Sequence, residues 1–231
     1  GSAEVIYRQV LAVDENNVYA LRFLGCLCRL KSAYPEGIEL LNKAVLLTPS
    51  DADCLYSLGS ILGDSGDHEG AVRSFEKSIS IRKDFAEARQ NMGHCLLKIG
   101  NFKDSEKVLL EAVSLNPGLS QAWINLGNTL KEQGKHAESI ASYRKAIEVN
   151  PHFVNAYLNL GSILLEQSRF QEAQEVVSDL FAIKPINESC SVIFPHKSLI
   201  LGLHHRQAQN LSFEVEIGSI LSRLSSVFDS V

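Results

Sequence analysis

Three asparagines stand 34 residues apart in this sequence, at Asn91, Asn125 and Asn159. An asparagine amide carries both N–H donors and a carbonyl acceptor, so it can pair with both polar groups of a peptide unit. A row of such amides would hold an extended peptide by its backbone and would accept many different side chains. The alternative interpretation is that these asparagines are tolerated exposed polar residues, or residues that form local hydrogen bonds within their helices.

Further polar and aromatic side chains accompany these asparagines in the same segments. Asn128 and Asn155 would support the amide row, and Lys98 and Lys131 would select acidic residues of a peptide. The remaining candidates are His94, three residues after Asn91, and the aromatic residues Phe23 and Tyr56. The aromatic pair would offer apolar contact toward the N-terminal end of the chain.

The sequence lacks the motifs of the common catalytic sites. It contains no glycine-rich phosphate loop, no nucleophile elbow and no helical His-Glu-x-x-His pattern. His196, His204 and His205 come closest to a metal-binding set. Adjacent histidines on a helix point about 100° apart, however, and no cysteine stands near them in the sequence. We therefore predict no catalytic residue, no metal and no cofactor.

The five cysteines are predicted to be reduced. Cys26 and Cys28 are two residues apart on a predicted helix, which separates their side chains by roughly 200° and prevents a shared metal or a disulfide bond. Reduced cysteines act as small apolar core residues and fit a cytoplasmic location. The full set is Cys26, Cys28, Cys54, Cys95 and Cys190.

Residues 121–151 show which elements carry the candidate residues. The segment QAWINLGNTLKEQGKHAESIASYRKAIEVNP reads as two amphipathic helices. The first runs over about 120–133 and ends at Gly134, since glycine accepts the left-handed conformation that closes a helix. The second runs over about 136–149 and ends at Asn150-Pro151, because proline cannot continue the hydrogen-bond ladder.

This pattern recurs with a period of 34 residues and needs no insertion. A Leu-Gly or Met-Gly pair returns in each predicted first helix, with its glycine at Gly25, Gly59, Gly93, Gly127 and Gly161. We predict five helix pairs, at 18–51, 52–85, 86–119, 120–153 and 154–187. A single helix within residues 1–17 would be the second helix of a preceding half repeat. Its first two residues, Gly1-Ser2, resemble the remnant of an expression tag.

The pattern W-x2-L-G-x2-L, followed by A/S-x3-Y-x2-A and a proline, resembles the tetratricopeptide repeat over about residues 3–185. The resemblance implies an all-α, right-handed solenoid whose first helices line a concave face for protein or peptide ligands. The segment NLGNTLKEQG is also similar to the superhelical arm of O-linked N-acetylglucosamine transferases, which implies an asparagine ladder. Phe23 and Ser57 depart from that ladder in the first two pairs.

The carboxylate clamp of chaperone-binding members of the family is not predicted. The clamp needs a lysine and an asparagine at fixed positions of its first unit. Arg22 is basic, but Cys26 stands where asparagine is required.

Residues 188–231 depart from the period. We predict an irregular linker, a short helix over about 196–209 and an amphipathic helix over about 212–231. The role of the amphipathic helix would be to cap the last repeat. The alternative is that it docks onto a partner, a second copy or the groove of its own array.

Composition limits the classes of partner. The 231 residues carry a net charge of −5 with a pI near 5.8, whereas nucleic-acid-binding surfaces are usually basic. No apolar run reaches the length of a membrane-spanning helix. We therefore expect neither nucleic acid nor membrane as a partner.

These observations predict a non-enzymatic scaffold that binds an extended peptide or a partner helix in its groove. A second hypothesis makes the chain the substrate-recognition arm of a larger, glycosyltransferase-like enzyme whose catalytic domain lies outside it. A third makes it a self-assembling scaffold, a homo-oligomer joined through exposed end helices.

Overall fold

The chain is all-α over residues 2–183, which are the residues that the computed structural model describes. Eleven helices follow one another in this range, joined by short turns. They are α1 (Ser2–Val13), α2 (Val18–Leu30), α3 (Tyr34–Leu47), α4 (Ala52–Ser65), α5 (His68–Ile81), α6 (Ala86–Ile99), α7 (Phe102–Leu115), α8 (Ser120–Glu132), α9 (His136–Val149), α10 (Val154–Glu166) and α11 (Phe170–Ile183). The predicted helical repeat array is confirmed, and the helix ends agree with the period to within one or two residues.

The helices belong to two compact units, which are described separately. Unit 1 ends at Thr129, and unit 2 begins at Leu130, so that α8 spans the division. In unit 1 each helix from α1 to α7 packs on the next, and α2 also contacts α4, while α4 contacts α6. In unit 2, α9 packs on α10 and α10 packs on α11. The grouping of these helices into five repeats with flanking segments at 1–17 and 188–231 stays a prediction.

Local signals set the helix ends. The Asp67 carboxylate accepts the backbone N–H of Gly70 at the start of α5, and Asn101 caps α7 in the same way. Pro35 lies in the first turn of α3, where a missing N–H has no cost. Gly134, with a φ of 74°, follows α8 in the left-handed conformation that its position predicts.

The Leu-Gly and Met-Gly pairs mark the points where the two helices of a pair approach each other. A Cβ built on Gly59 would lie 2.8 Å from the ring of Phe75, and one on Gly25 would lie 2.6 Å from Leu41. Both distances are too short for a carbon contact. The glycines are therefore required by the packing of the second helix on the first.

Small apolar side chains fill the core of unit 1 around these contacts. Phe75 is 1% exposed and packs with Met92, Leu96 and the buried thiol of Cys95. Burial raises the pKa of Cys95 to about 11, because the thiolate would lose its solvation. In unit 2, Tyr143 is 1% exposed and holds the equivalent central place on α9.

Some sequence predictions fall outside the described residues. They are Cys190, the histidines at 196, 204 and 205, and the linker and two helices predicted for 188–231. Within the range 2–183, no helix is both long enough and apolar enough to cross a membrane.

Candidate functional site

The first helices of unit 1 form a common surface. Since α2 contacts α4 and α4 contacts α6, these three helices lie side by side. We call their solvent-accessible side the first-helix face. It carries five of the predicted site residues, namely Phe23, Tyr56, Asn91, His94 and, at the end of α6, Lys98.

Asn91 is half-buried on this face and pairs with two neighbours. Its Nδ2 donates to the Tyr56 hydroxyl at 3.1 Å, and its Oδ1 accepts from Gln90 Nε2 at 3.2 Å. An asparagine amide has two N–H donors and two acceptor sites. The two bonds therefore leave one donor and one acceptor site for a ligand. Tyr56 in turn packs on Phe85 at a ring-centroid distance of 4.9 Å, which fixes its position.

Asn125 lies in a different environment from the exposed groove position that the sequence predicts. It lies within α8 and is only 3% exposed. Its Oδ1 accepts from Gln121 Nε2 at 3.0 Å, and its side chain also hydrogen-bonds to His94. A ligand would reach this amide only after neighbouring side chains had moved.

The remaining polar candidates lie on α8 and α10. Asn128 is half-buried, and Lys131 of unit 2 forms an ion pair with Glu166 at 2.6 Å. On α10, Asn155 is exposed and Asn159 is half-buried. Because Asn159 belongs to unit 2, the row across three asparagines stays a prediction.

An aromatic surface begins at the N-terminal end of the first-helix face. Phe23 is 39% exposed, and its ring stacks on Tyr7 of α1 at 5.7 Å with an interplanar angle of 14°. The Arg22 guanidinium lies 4.4 Å above the Phe23 ring, within the range of a cation–π contact. Tyr7 and Arg22 were not among the predicted site residues. The contact of Tyr7 with Phe23 depends on how α1 packs against α2, whereas Arg22 precedes Phe23 on α2.

A pocket of about 140 Å³ opens on the same face between α2, α4 and α6. Arg29 and Asp64 form its rim, where Arg29 Nη1 donates to Asp64 Oδ2 at 3.0 Å. Other lining residues are Ser60, Phe75, Asn91 and His94. Arg29 and Asp64 lie at repeat positions expected to face the groove, but they were not among the predicted site residues. The sequence signal for this pocket is Gly63, because the other first helices carry large side chains at the same repeat position.

His94 is the titratable group at the centre of this surface. Part of its ring reaches solvent, but burial of the remainder lowers its pKa below the usual value of 6.5. Positive charge on Lys98 and His68 lowers the pKa further, whereas the Asn125 hydrogen bond and Asp64 act in the opposite direction. His94 is therefore mainly neutral at pH 7.

The first-helix face combines polar donors with exposed aromatic rings. Free amide, guanidinium and ammonium donors lie beside exposed aromatic rings, which together suit the polar backbone and the side chains of a polypeptide. Within residues 2–183, no group of three or more His, Cys, Asp or Glu side chains could hold a metal ion.

Comparison with known structures shows the same fold. The chain matches MamA with 24% identity and a TM-score of 0.64, over 69% of this chain and 94% of that one. It matches Pseudomonas aeruginosa pilF with 20% identity and a TM-score of 0.67, over 90% and 91% of the two chains. It also matches YrrB, described as a TPR protein with an unusual peptide-binding site, with 19% identity, a TM-score of 0.60 and coverage of 79% and 94%.

Sequence comparison agrees with the structural one. A search of curated proteins finds no match to this chain. Three family profiles do match, two described as tetratricopeptide repeat at residues 64–128 and 154–187 and one as TPR repeat at 127–168. Together they span residues 64–187, which is more than half of the 231 residues. The chain belongs to the tetratricopeptide repeat family.

Proposed function

We propose that this protein is a non-enzymatic scaffold that binds an extended peptide, or a helix of a partner protein, on the first-helix face. The main support for this proposal is the Asn91 amide, which Tyr56 and Gln90 hold in place while one donor and one acceptor site stay open. Such an amide can pair with one peptide unit of a ligand whatever its side chains are. Tetratricopeptide arrays are typically scaffolds for proteins or peptides, and the peptide-binding site named for YrrB supports the same role here.

The other candidates take supporting roles in this proposal. The Phe23 ring, braced by Tyr7 and Arg22, supplies an exposed apolar contact at one end of the face. Lys98 supplies positive charge at the other. Asn128, on α8, and Lys131, Asn155 and Asn159 of unit 2 stay candidate peptide-binding residues, and Asn125 would hold His94 in place.

The test is binding of a fluorescein-labelled random nonapeptide pool to the full chain, measured by fluorescence anisotropy. Asn91→Ala should weaken binding about fivefold, since a hydrogen bond is worth about 1 kcal/mol. Asn42→Ala is the matched control, because Asn42 is an exposed asparagine on the second helix α3. Equal affinity of the Asn91 and Asn42 variants would refute the role of this amide. Circular dichroism would show whether both variants keep their helical content.

Self-association is a second candidate, favoured by the surface of α1. Val5 and Ile6 are each 55% exposed there, which is unusual for two adjacent large apolar side chains. A second copy of the chain would bury them. The Val5→Lys, Ile6→Lys double variant should then lower the sedimentation mass toward that of a monomer. A monomer mass for the unaltered chain at all concentrations would exclude this candidate.

The recognition-arm hypothesis rests on the asparagine spacing and the NLGNTLKEQG segment alone. Under this hypothesis the natural gene product is much larger than 25.4 kDa and carries a transferase domain. Its intact mass in the source organism would decide the point.

We also propose a cytoplasmic location. Cys28, Cys54 and Cys95 are buried as free thiols, which suits a reducing compartment. Fractionation of the source cells would test it, and recovery from an oxidising compartment would contradict it.

A further inference from the structure

The pocket on the first-helix face exists because of one glycine. Gly63 of α4 occupies a repeat position at which the other first helices carry larger side chains, namely Arg29, Leu97, Lys131 and Leu165. A Cβ on Gly63 would already lie 3.2 Å from the Sγ of Cys95. A longer side chain would therefore fill the space that now lies open above Cys95.

Hydrogen-bond donors outnumber acceptors around this space. Arg29 has five N–H groups, of which one is directed at Asp64. Asn91 has one N–H beyond the bond to Tyr56. Lys98 is exposed and lies near enough to His94 to lower its pKa. A pocket with these donors suits a ligand group that only accepts hydrogen bonds.

The local charge points in the same direction. Among the lining residues Arg29 and Asp64 carry opposite charges, and Lys98, which lies outside the lining near His94, adds one positive charge in a chain whose net charge is −5. His94 and the neighbouring His68 add positive charge only when they are protonated. The ligand group that fits is therefore an anion small enough for about 140 Å³.

We propose that this pocket receives the carboxylate side chain of an aspartate or glutamate in the peptide that binds the first-helix face. The proposal rests on the proposed function and names the class of residue that the site selects. The carboxylate accepts hydrogen bonds from Arg29 and Asn91 and lies within the field of Lys98. Asp64 competes for Arg29 and so limits the affinity.

A phosphate group is the comparison for this position. A phosphoserine carries between one and two negative charges at pH 7, whereas a carboxylate carries one. The attraction by Arg29 and Lys98 and the repulsion by Asp64 both rise with that charge. A carboxylate is the smaller group for a pocket of about 140 Å³ and matches the planar guanidinium of Arg29, so we commit to a carboxylate and use phosphoserine as a comparison.

The experiment uses the full chain and three fluorescein-labelled nonapeptide pools with random flanks. The central residue is glutamate, glutamine or phosphoserine, and binding is read by anisotropy. The glutamate pool should bind about three- to fivefold more tightly than the glutamine pool, as expected for a partly exposed ion pair. The phosphoserine pool should not exceed the glutamate pool.

Two substitutions should change the preference for the glutamate pool in opposite directions. Gly63→Leu introduces the residue type that Leu97 supplies at the same position of the next repeat and should fill the pocket, so the preference for glutamate should vanish while affinity for the glutamine pool is kept. Asp64→Asn releases Arg29 and should strengthen binding of the glutamate pool about twofold to threefold. Asp84→Asn is the matched control, because it removes the same charge from an exposed position outside the pocket. If Gly63→Leu does not fold by circular dichroism, Arg29→Gln gives the same test.

The outcomes separate the two proposals. Equal binding of the glutamate and glutamine pools by the unaltered chain overturns the pocket and leaves the scaffold function in place. A tighter phosphoserine pool overturns the choice of carboxylate. Failure of all pools to bind at millimolar concentration overturns both proposals.

Discussion

The contact between Gly59 and Phe75 gives a stability prediction whose sign depends on the geometry. Alanine normally stabilises a helix interior relative to glycine by about 0.5 to 1 kcal/mol. A Cβ on Gly59, however, would meet three atoms of the Phe75 ring at 2.8, 2.9 and 3.0 Å. Phe75 is 1% exposed and belongs to the central cluster of unit 1, so its ring has little room to move.

Overpacking of this kind costs about 1 to 3 kcal/mol. After the gain in helix propensity is subtracted, Gly59→Ala should destabilise the protein by about 0 to 2.5 kcal/mol, with a central value near 1 kcal/mol. Phe75→Ala removes every ring atom that the Gly59 Cβ would meet and lowers stability by itself. In that background, Gly59→Ala should become neutral or stabilising, since the atoms that it meets are gone. The two substitutions are therefore coupled and should not be additive.

The assay is urea unfolding followed by circular dichroism for the four chains of this double-mutant cycle. Repeat arrays need not unfold in one step, so the midpoints are compared within a nearest-neighbour analysis. Gly66→Ala is a separate test of backbone conformation: a Cβ there meets nothing within 4 Å, but φ is 95°. If Gly59→Ala stabilises the chain that retains Phe75, the packing argument is refuted.

Three further predictions concern single groups. Asp67→Ala removes the cap of α5 and should lower the free energy of unfolding by about 1 kcal/mol in urea titrations, and no change would show that the cap is dispensable. Burial raises the thiol pKa values of Cys54 and Cys95 from 9.0 to about 11, so folding favours the protonated thiols. The free energy of unfolding should therefore fall as the pH rises from 9 toward 11. The Cys54→Ala, Cys95→Ala double variant should lose that part of the pH dependence. Lys131→Gln breaks a solvent-exposed ion pair and should shift stability by less than about 1 kcal/mol, so a larger loss would show that this contact is more than a surface pair.

The sequence alone determined the helices and their order. Gly134, Asp67 and Pro35 act within one turn of the chain, because capping and left-handed closure depend on local backbone geometry. The 34-residue period placed each apolar stripe, and the recurring glycines indicated where paired helices approach. These features can be predicted because they depend on neighbours in sequence, or on the same contact repeated at a fixed spacing.

Tertiary structure decided which of the candidate side chains a ligand can reach. Asn91 and Asn125 occupy equivalent repeat positions, yet one is half-buried with open bonding sites and the other is 3% exposed. The Tyr7–Phe23 stack and the Arg29–Asp64 rim join residues from different helices, and the pocket beside Gly63 depends on how α4 and α6 pack. A repeat pattern gives every unit the same expectation, whereas exposure is set by the particular side chains of the neighbouring helices, which differ from one repeat to the next.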